Sequence, residues 1–561
     1  MLKNYIITNL WLNNQLGGVK NKSKVWNTFQ HNGVMFPSEY EQINIPLIYD
    51  GKKIILNNDA EEASLFYAKY LETEYIKNPR FNKNFWKDYK KILNKDLNII
   101  DFNKCDFTLF YKYLISEKEK KMSLTKEDKI KIKEKDLIKE VKFKQAFVDG
   151  KLQKVGNFRI EPPGIFLGRG CHPKIGRIKK RIYPEDITIN ISKGVKIPET
   201  GIKGRKWGNI IHNNKSLMIA SWKENVLGKT KYVWLSDQSD YKAKSDLEKF
   251  DLAKKLKKKI TEIRKINYKN LKLNNIKSKQ LATVLYFIDK LALRIGNEKG
   301  KNQADTVGIS SLRIEHITLL GSNKIKLDFL GKDSIRYVKK FEIDNLIYNN
   351  LVFFIENKNR KDKLFDKINT IDINKYLNSF MNKLTSKVFR TMNASKLFQK
   401  ELKKINIKFE KYNENDKINL LLDQFNKANA KVALLCNHQK SVSKNFKEQI
   451  NKFNTRIKEL KKKRNDYENK KKIFKDQGKN VKTIRERIKK INLKIINLKS
   501  RKNLKIDLKS VSLGTSKVNY IDPRITIAFM KKHNINIDKL FTKVLQEKFH
   551  WAMTINIDYI F

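Results

Sequence analysis

The chain has 561 residues, enough for roughly two to four structural units, and 40% of them are hydrophobic, as in a globular protein. Lysine and arginine total 121 against 59 acidic residues, so the formal net charge is +62. Such a charge opposes a compact state unless a polyanion neutralises it, which indicates a nucleic-acid partner. A ribosomal or scaffold protein could show the same balance, so charge alone predicts a partner and no reaction.

Cysteine usage and hydropathy argue against several protein classes. The three cysteines, Cys105, Cys171 and Cys436, form no CxxC pair, which predicts a reducing compartment without a disulfide framework. Neither Cys171-His172 nor Cys436-Asn437-His438 has a second ligand pair at zinc spacing, so we expect no metal site. We expect no membrane span, because no run of about 18 apolar residues occurs, and no secretion signal.

The N-terminal half contains one loop of particular interest. Residues 1–24 form a short basic lead that we expect to be disordered, and the dense Lys/Glu alternation of residues 116–141 predicts a solvated helix. In the turn-rich stretch that follows, Gly168 and Gly170 flank Arg169, whose guanidinium suits a phosphate or a base edge. A tight surface loop would explain the same residues.

Strand-like alternation at residues 187–191 and 231–235 follows this loop. Gly228-Lys229-Thr230 resembles the end of a P-loop, but the glycine required five residues earlier is replaced by Lys223. We therefore expect no ATP requirement and no cofactor.

From about residue 240 to 440 the pattern is mainly helical. Residues 281–295 predict an apolar helix that includes Arg294, and residues 325–330 and 335–338 predict two strands joined at a tip that carries Lys332. Arg390 and His438 are each a polar residue within an apolar stretch.

Residues 441–508 are very basic and keep an apolar residue at three-, four- or seven-residue spacing. The pattern predicts an antiparallel helical hairpin with a turn at residues 476–480. Its seam residues are Phe446, Ile450, Phe453, Ile457, Leu460, Tyr467 and Phe474 in the first arm and Ile484, Ile488, Ile491, Ile495 and Leu498 in the second. The hairpin either lies near DNA phosphates or serves as a solvated coiled-coil spacer.

Residues 512–524 contain a candidate nucleophile. Asp522 and Pro523 read as an N-cap and a first helical residue, which places Tyr520 beside a helix start. Taken alone, this stretch favours an ordinary interfacial tyrosine, and the other segments of the chain overturn that interpretation. Attack of a tyrosine on a phosphodiester requires loss of the phenolic proton, cationic donors for the transition state and a proton for the leaving oxygen. One tyrosine, two arginines, one histidine and one lysine meet these needs.

Five motifs in a fixed order resemble eukaryotic DNA topoisomerase I, the type IB family, over residues 26–561. They are LALRIGNEK (291–299), FLGKDSIRY (329–337), KVFR (387–390), CNHQ (436–439) and GTSKVNY (514–520). The resemblance implies that Tyr520 forms a covalent 3′-phosphotyrosine, that Arg294, Arg390 and His438 hold the non-bridging oxygens, and that Lys332 protonates the leaving 5′-oxygen. Relaxation of supercoils of either sign would then need neither ATP nor metal.

The resemblance further implies a set of contacts with double-stranded supercoiled DNA. They would come from Arg169, Lys231, Tyr232, Lys249, Asn297, Lys299, Thr306, Asp333, Lys387 and Asn519. Camptothecin-type inhibitors would bind near Arg169 and Asn519 in the cleaved complex. The protein would act as a monomer in the nucleus, or in another DNA-containing compartment.

The fold implied is a multidomain α+β DNA clamp. It would comprise a mixed α/β cap (25–240), a mostly helical catalytic core related to tyrosine recombinases (241–440), a protruding helical-hairpin linker (441–508) and a small helical C-terminal domain (509–561).

Two competing functions are disfavoured by particular residues. A tyrosine recombinase typically has histidine three residues before its second arginine, where this chain has Lys387. A non-catalytic basic chromatin protein would explain the charge but not five ordered active-site groups.

Overall fold

The computed structural model describes residues 24–298, 300, 303–405, 414–440, 442–443 and 445–561. The chain is a mixture of α and β structure in which about half of the residues are helical. It divides into two compact units, one comprising Met1–Lys244 and Lys299–Thr306 and the other Ser245–Glu298 and Val307–Phe561. The basic lead up to residue 23 and the predicted DNA contact Lys299 lie outside the described residues.

The described part of the first unit is built from short strands and helices. Its strands are β1 (Phe29–His31), β2 (Leu47–Tyr49), β3 (Lys52–Ile54), β4 (Cys105–Asp106), β5 (Gln145–Val148), β6 (Lys151–Lys154), β7 (Gly164–Ile165), β8 (Ile178–Lys179), β9 (Ile187–Asn190), β10 (Asn209–Ile211), β11 (Met218–Lys223) and β12 (Thr230–Trp234). They pair in the orders β1-β5-β6, β3-β2-β4, β7-β8 and β10-β9-β11-β12. Its helices are α1 (Asn58–Ala68), α2 (Pro79–Tyr89), α3 (Thr108–Ser123) and α4 (Lys126–Val141).

Two apolar cores support this unit. In one, Phe81, Phe85 and Tyr89 of α2 are fully buried against α1 and the segment around β4. In the other, β9 and β12 contribute Ile187 and Val233. The strands predicted at residues 187–191 and 231–235 are thereby confirmed, with ends shifted by one residue.

The prediction of a single helix over residues 116–141 is wrong, because α3 ends at Ser123 and α4 begins at Lys126. Thr125 interrupts the helix by capping α4: its hydroxyl accepts a hydrogen bond from the Asp128 amide at 3.1 Å. The expected ion pairing along the helix is present between Glu117 and Lys120, at 2.9 Å, although the spacing is i,i+3 and not the predicted i,i+4.

The second unit packs its helices and one three-stranded sheet, β13-β14-β15, around a large apolar core. The strands are β13 (Ile317–Leu319), β14 (Lys324–Leu330) and β15 (Arg336–Glu342). The helices are α5 (Asp240–Leu271, which begins in the first unit), α6 (Ile276–Leu291), α7 (Asn345–Ile355), α8 (Thr370–Phe380), α9 (Ser386–Lys403), α10 (Glu414–Leu435), α11 (Phe446–Asp476), α12 (Lys482–Asp507), α13 (Leu513–Asn519), α14 (Pro523–Lys532) and α15 (Lys543–Lys548). Within the described ranges, none of the helices has the length and apolar character needed to cross a membrane.

The helix predicted to reach residue 295 ends four residues earlier than expected. Helix α6 stops at Leu291, because Ala292 adopts a left-handed conformation with φ 52°. Arg294 therefore lies in the irregular segment after the helix.

The predicted helical hairpin is confirmed in α11 and α12, which pack on each other. Ile457, Ile491 and Ile495 form the buried seam, and Leu460, Tyr467 and Leu498 pack beside them. Gly478 lies in the turn with φ 66°, a conformation that glycine adopts without steric cost.

Because this seam is narrow, removing one seam side chain should destabilise the hairpin without destabilising the rest of the second unit. We expect Ile491→Ala to destabilise the packing of α11 on α12 by about 2–4 kcal/mol. Hydrogen exchange should then accelerate across residues 446–507, while the rest of the second unit keeps its protection. Ile496→Ala is the matched control, since Ile496 lies on the same helix and is 54% exposed. Equal acceleration in both variants would contradict the assigned seam.

Candidate active site

A cavity of about 200 Å³ in the second unit collects four of the predicted catalytic side chains. Arg294, Lys332, Arg390 and His438 all line it. Arg390 and His438 pack on the ring of Tyr520, and Arg294 lies close enough to Tyr520 to interact with it electrostatically. The fold thus brings together five residues that span more than 200 positions of sequence.

Arg390 is held inside the core by backbone carbonyls. It lies on α9, is 3% exposed, and donates to the carbonyls of Ala292 and Cys436, the second at 3.0 Å. Both carbonyls follow helix ends, where backbone acceptors have no intrahelical partner. The Nε of Arg390 is buried and has no hydrogen-bond partner among the described residues.

Lys332 lies on the tight turn between β14 and β15, as predicted. The Gly331 amide donates to the Ile335 carbonyl at 2.8 Å and closes the turn. Asp333 and Ser334 adopt left-handed conformations, with φ 67° and 58°. The paired strands therefore present the exposed lysine side chain at the edge of the cavity.

His438 follows α10 and is fixed by backbone and side-chain contacts. Its amide donates to the Ala433 carbonyl at 2.8 Å, and its carbonyl accepts from the Ser512 amide at 2.9 Å. The ring is 7% exposed, and its Nδ1 lies 2.7 Å from the Ser516 hydroxyl. Its Nε2 is buried and unpartnered within the described part of the chain.

Tyr520 lies between two short helices, α13 and α14. The predicted N-cap is confirmed, since the Asp522 carboxylate accepts from the Arg524 amide at 2.9 Å. The Tyr520 carbonyl accepts from the Ser395 hydroxyl at 3.2 Å, which ties this segment to α9. The ring is 8% exposed and stacks on His438 with 5.3 Å between centroids, and the Arg390 Cζ lies 4.9 Å from its centroid.

The two arginines and the burial of the site act on its titratable groups. Burial lowers the pKa of His438 to about 3, with Arg390 and Arg294 adding to the effect. Burial and the charge of Arg390 also lower the pKa of Arg294, whereas Tyr520 opposes this shift. His438 is therefore neutral near pH 7, and the positive charge of the site comes from its arginines and Lys332.

The low pKa of His438 predicts a specific pH dependence. For the DNA cleavage that the sequence resemblance implies, we expect the ratio of rates for the native protein and His438→Gln to stay constant between about pH 5 and 8, because neither side chain changes charge there. Single-turnover cleavage at each pH would measure it, and a ratio that changes near pH 6.5 would contradict a neutral histidine. Since the folded-state pKa lies below the unfolded value of 6.5, this residue makes the fold less stable as pH falls from about 6.5 to 3.

Chemically, the cavity is suited to an anion held against a phenol. Guanidinium and ammonium groups are the usual partners of phosphate oxygens in proteins. In the described residues, no group of three or more His, Cys, Asp or Glu side chains is placed to hold a metal ion.

The predicted DNA contacts of the first unit lie on one loop, one strand and one later segment. Arg169 is exposed between Gly168 and Gly170, which both have positive φ. Lys231 and Tyr232 lie on β12, partly buried, with the Lys231 ammonium 3.7 Å from Glu161. Thr306 is partly buried.

The predicted contacts of the second unit are mostly exposed. Asn297, Asp333, Lys387 and Asn519 are all exposed, and Asp333 lines the same cavity as Lys332. Lys249 on α5 is instead partly buried, with its ammonium 3.0 Å from the Asp246 carboxylate.

Two side chains at the site received no role from sequence. Ser516 belongs to the GTSKVNY motif, but its contact with His438 spans 78 residues and has no local signal. Tyr337 lines the cavity with a buried hydroxyl that lacks a hydrogen-bond partner in the described chain. Its position on β15, five residues after Lys332, is the one feature of the sequence that could have indicated that Tyr337 lies near the site.

Comparison with known protein families covers most of the chain. Residues 24–235 match the family model "Eukaryotic DNA topoisomerase I, DNA binding fragment". Residues 238–471 match "Eukaryotic DNA topoisomerase I, catalytic core", and residues 486–561 match "C-terminal topoisomerase domain".

Curated relatives give the same assignment. DNA topoisomerase 1 of Homo sapiens is 41% identical over 549 residues, which cover 94% of this chain and 71% of the human protein. DNA topoisomerase 1 of Caenorhabditis elegans is 42% identical over 94% of this chain and 66% of its own length. DNA topoisomerase 1 beta of Arabidopsis thaliana is 40% identical over 96% of this chain, which spans 59% of that relative's length. The chain therefore belongs to the eukaryotic DNA topoisomerase I family.

Proposed function

We propose that the protein is a type IB DNA topoisomerase, which cuts one strand of duplex DNA, lets it rotate and reseals it. The observation that supports this most strongly is the convergence of Arg294, Arg390 and His438 on Tyr520, beside the cavity that Lys332 borders. A phenol beside two guanidinium groups is suited to attack on phosphorus. The transition state gains negative charge on the non-bridging oxygens, and the guanidinium groups stabilise that charge.

In the cleavage step, the Tyr520 hydroxyl oxygen attacks the scissile phosphorus and its proton passes to solvent. A bond forms between this oxygen and phosphorus, and the bond from phosphorus to the 5′-oxygen breaks. The Lys332 ammonium gives its proton to that leaving oxygen. The proximity of Arg294 to Tyr520 supports this assignment, since a guanidinium stabilises negative charge that develops on the attacking oxygen.

The groups around the phosphate have separate tasks. Arg294 and Arg390 hold the non-bridging oxygens, and the unpartnered Nε of Arg390 supports this role because a buried donor needs an acceptor. His438 donates from Nε2, which is also buried and unpartnered in the described chain. The three donors stabilise the negative charge that increases on these oxygens in the transition state.

Resealing reverses these steps and needs no ATP. The phosphotyrosine bond retains the energy of the phosphodiester, so the free 5′-hydroxyl attacks phosphorus and releases Tyr520. Between the two steps the cut strand rotates about the intact one, which relaxes positive and negative supercoils.

The same proposal assigns a role to each segment of the chain. The first 24 residues lead into a cap at 25–240, which with a recombinase-like core at 241–440 forms a clamp around DNA. The hairpin at 441–508 is a linker that slows rotation, and residues 509–561 supply Tyr520. The basic surface of the hairpin supports a position near DNA phosphates, since its first arm, α11, contains the basic run Lys461 to Arg464.

Contacts with the duplex come from the ten residues that the sequence resemblance predicts. They are Arg169, Lys231, Tyr232, Lys249, Asn297, Lys299, Thr306, Asp333, Lys387 and Asn519. Camptothecin-type compounds bind the cleaved complex near Arg169 and Asn519. The protein works as a monomer on nuclear DNA.

Plasmid relaxation tests this function directly. Negatively and positively supercoiled plasmids are incubated separately with the protein in EDTA without ATP, and topoisomers are resolved on gels. Relaxation of both signs, with a 3′-linked covalent complex trapped by denaturant, is the expected result. Binding without any change in linking number would overturn the proposal and leave a binding role.

A further inference from the structure

One contact at the site involves a side chain with no assigned role. The Ser516 hydroxyl lies 2.7 Å from Nδ1 of His438, and the two residues are 0% and 7% exposed. Ser516 is on α13, one helical turn before Tyr520. It therefore contacts the histidine from the same short element that positions the nucleophile.

The direction of this hydrogen bond follows from what surrounds it. In the described chain, His438 is the hydrogen-bond partner of the Ser516 hydroxyl, and no other partner is found. If Nδ1 donated, the hydroxyl hydrogen would be buried without an acceptor, which is unfavourable. The serine hydroxyl therefore donates, and Nδ1 accepts.

This direction determines the tautomer of a neutral ring. A neutral imidazole has one N–H, so an accepting Nδ1 places the hydrogen on Nε2. That nitrogen is buried without a partner among the described residues, and His438 lines the cavity together with Arg294, Arg390 and Lys332. Nε2–H is thus a buried, unsatisfied donor on a residue that lines the cavity where we place the phosphate.

We propose that Ser516 is a positioning residue that holds His438 in the Nε2–H tautomer, ready to donate to a non-bridging phosphate oxygen. This inference rests on the topoisomerase function proposed above. It identifies a residue needed for the reaction that does not itself touch DNA.

The charge state of the ring makes the tautomer important. Arg294 and Arg390 face the ring, and Tyr520 stacks on it. Burial and the two arginines lower the pKa of His438, which favours the neutral ring at the pH of the reaction. A protonated ring would donate from both nitrogens and would not need Ser516. A neutral ring without Ser516 could place its hydrogen on Nδ1, and the donor to phosphate would be lost.

Single-turnover cleavage of a nicked duplex that cannot be resealed tests the proposal. We expect Ser516→Ala to slow formation of the covalent complex about 10-fold, which corresponds to about 1.4 kcal/mol. Ser516→Thr keeps a hydroxyl and should recover the rate to within about threefold of native. Thermal unfolding of each variant reports whether the fold is retained.

A double-mutant cycle separates this role from a structural one. In His438→Gln the amide supplies an N–H donor that does not depend on a tautomer, so adding Ser516→Ala should change the rate less than about twofold. An unchanged rate in Ser516→Ala, or the same 10-fold loss in both backgrounds, would overturn the role of Ser516 while the proposed function stands. Absence of any covalent complex with the native protein would overturn the proposed function and this inference with it.

Discussion

Replacing Tyr520 by phenylalanine is expected to abolish DNA relaxation while the protein stays folded. The substitution removes only the hydroxyl, so no phosphotyrosine can form, and relaxation should fall by at least about 1,000-fold. The ring contacts with His438 and Arg390 do not involve the hydroxyl and should persist. Topoisomer gels measure the loss of relaxation, and denaturant trapping measures the loss of the covalent complex.

The matched control for this substitution is Tyr348→Phe. Tyr348 lies on α7 and packs against the same core, outside the lining of the cavity. We expect this variant to relax plasmid at the native rate. If Tyr520→Phe retained activity, the nucleophile would have to be another residue, even though the family assignment would stand.

Replacing Arg390 by lysine is expected to give the second largest loss. Arg390 uses two guanidinium nitrogens on the carbonyls of Ala292 and Cys436 and has Nε left for another partner. An ammonium on a flexible stem cannot keep these anchors and offer a donor in the same geometry. Loss of one preorganised donor typically costs about 10²–10³ in rate, so we expect cleavage to slow by this factor.

Lysine is preferable to alanine at this position because it keeps the charge and part of the stem. Arg390→Ala would leave two buried carbonyls unpaired and would confuse a loss of stability with a loss of catalysis. Lys396→Ala is the control, since Lys396 is an exposed cation on the same helix. A cleavage rate that falls equally in both variants would show that overall charge, and not the anchored guanidinium, is responsible.

The way Arg390 is held also explains why early termination of α6 matters. The left-handed turn at Ala292 ends the helix, and the carbonyl of that residue accepts from Arg390. The next residues then lead to Arg294, whose guanidinium reaches Tyr520. A substitution that extended α6 by one turn would therefore displace both arginines of the site.

Much of the local structure could be predicted from the sequence, because local signals determine it. The strands β14 and β15 and the turn at Lys332 follow from alternation and turn residues, and the N-cap at Asp522 follows from the Asp-Pro pair. The hairpin α11–α12 follows from its spaced apolar residues. The five motifs also indicated the family, because each keeps its predicted catalytic residue in a recognisable local context.

Other features were decided by contacts between distant residues. The helix boundaries at Leu291 and Ser123 were mispredicted, because an apolar or charged pattern continues past the residue where the backbone turns. The burial of Arg390 on two carbonyls, and the contact of Ser516 with His438, join segments 46 to 98 residues apart. The motifs identify which side chains belong to the candidate site. The hydrogen-bond partners and the protonation state of each side chain depend on burial, which arises only when the core is assembled.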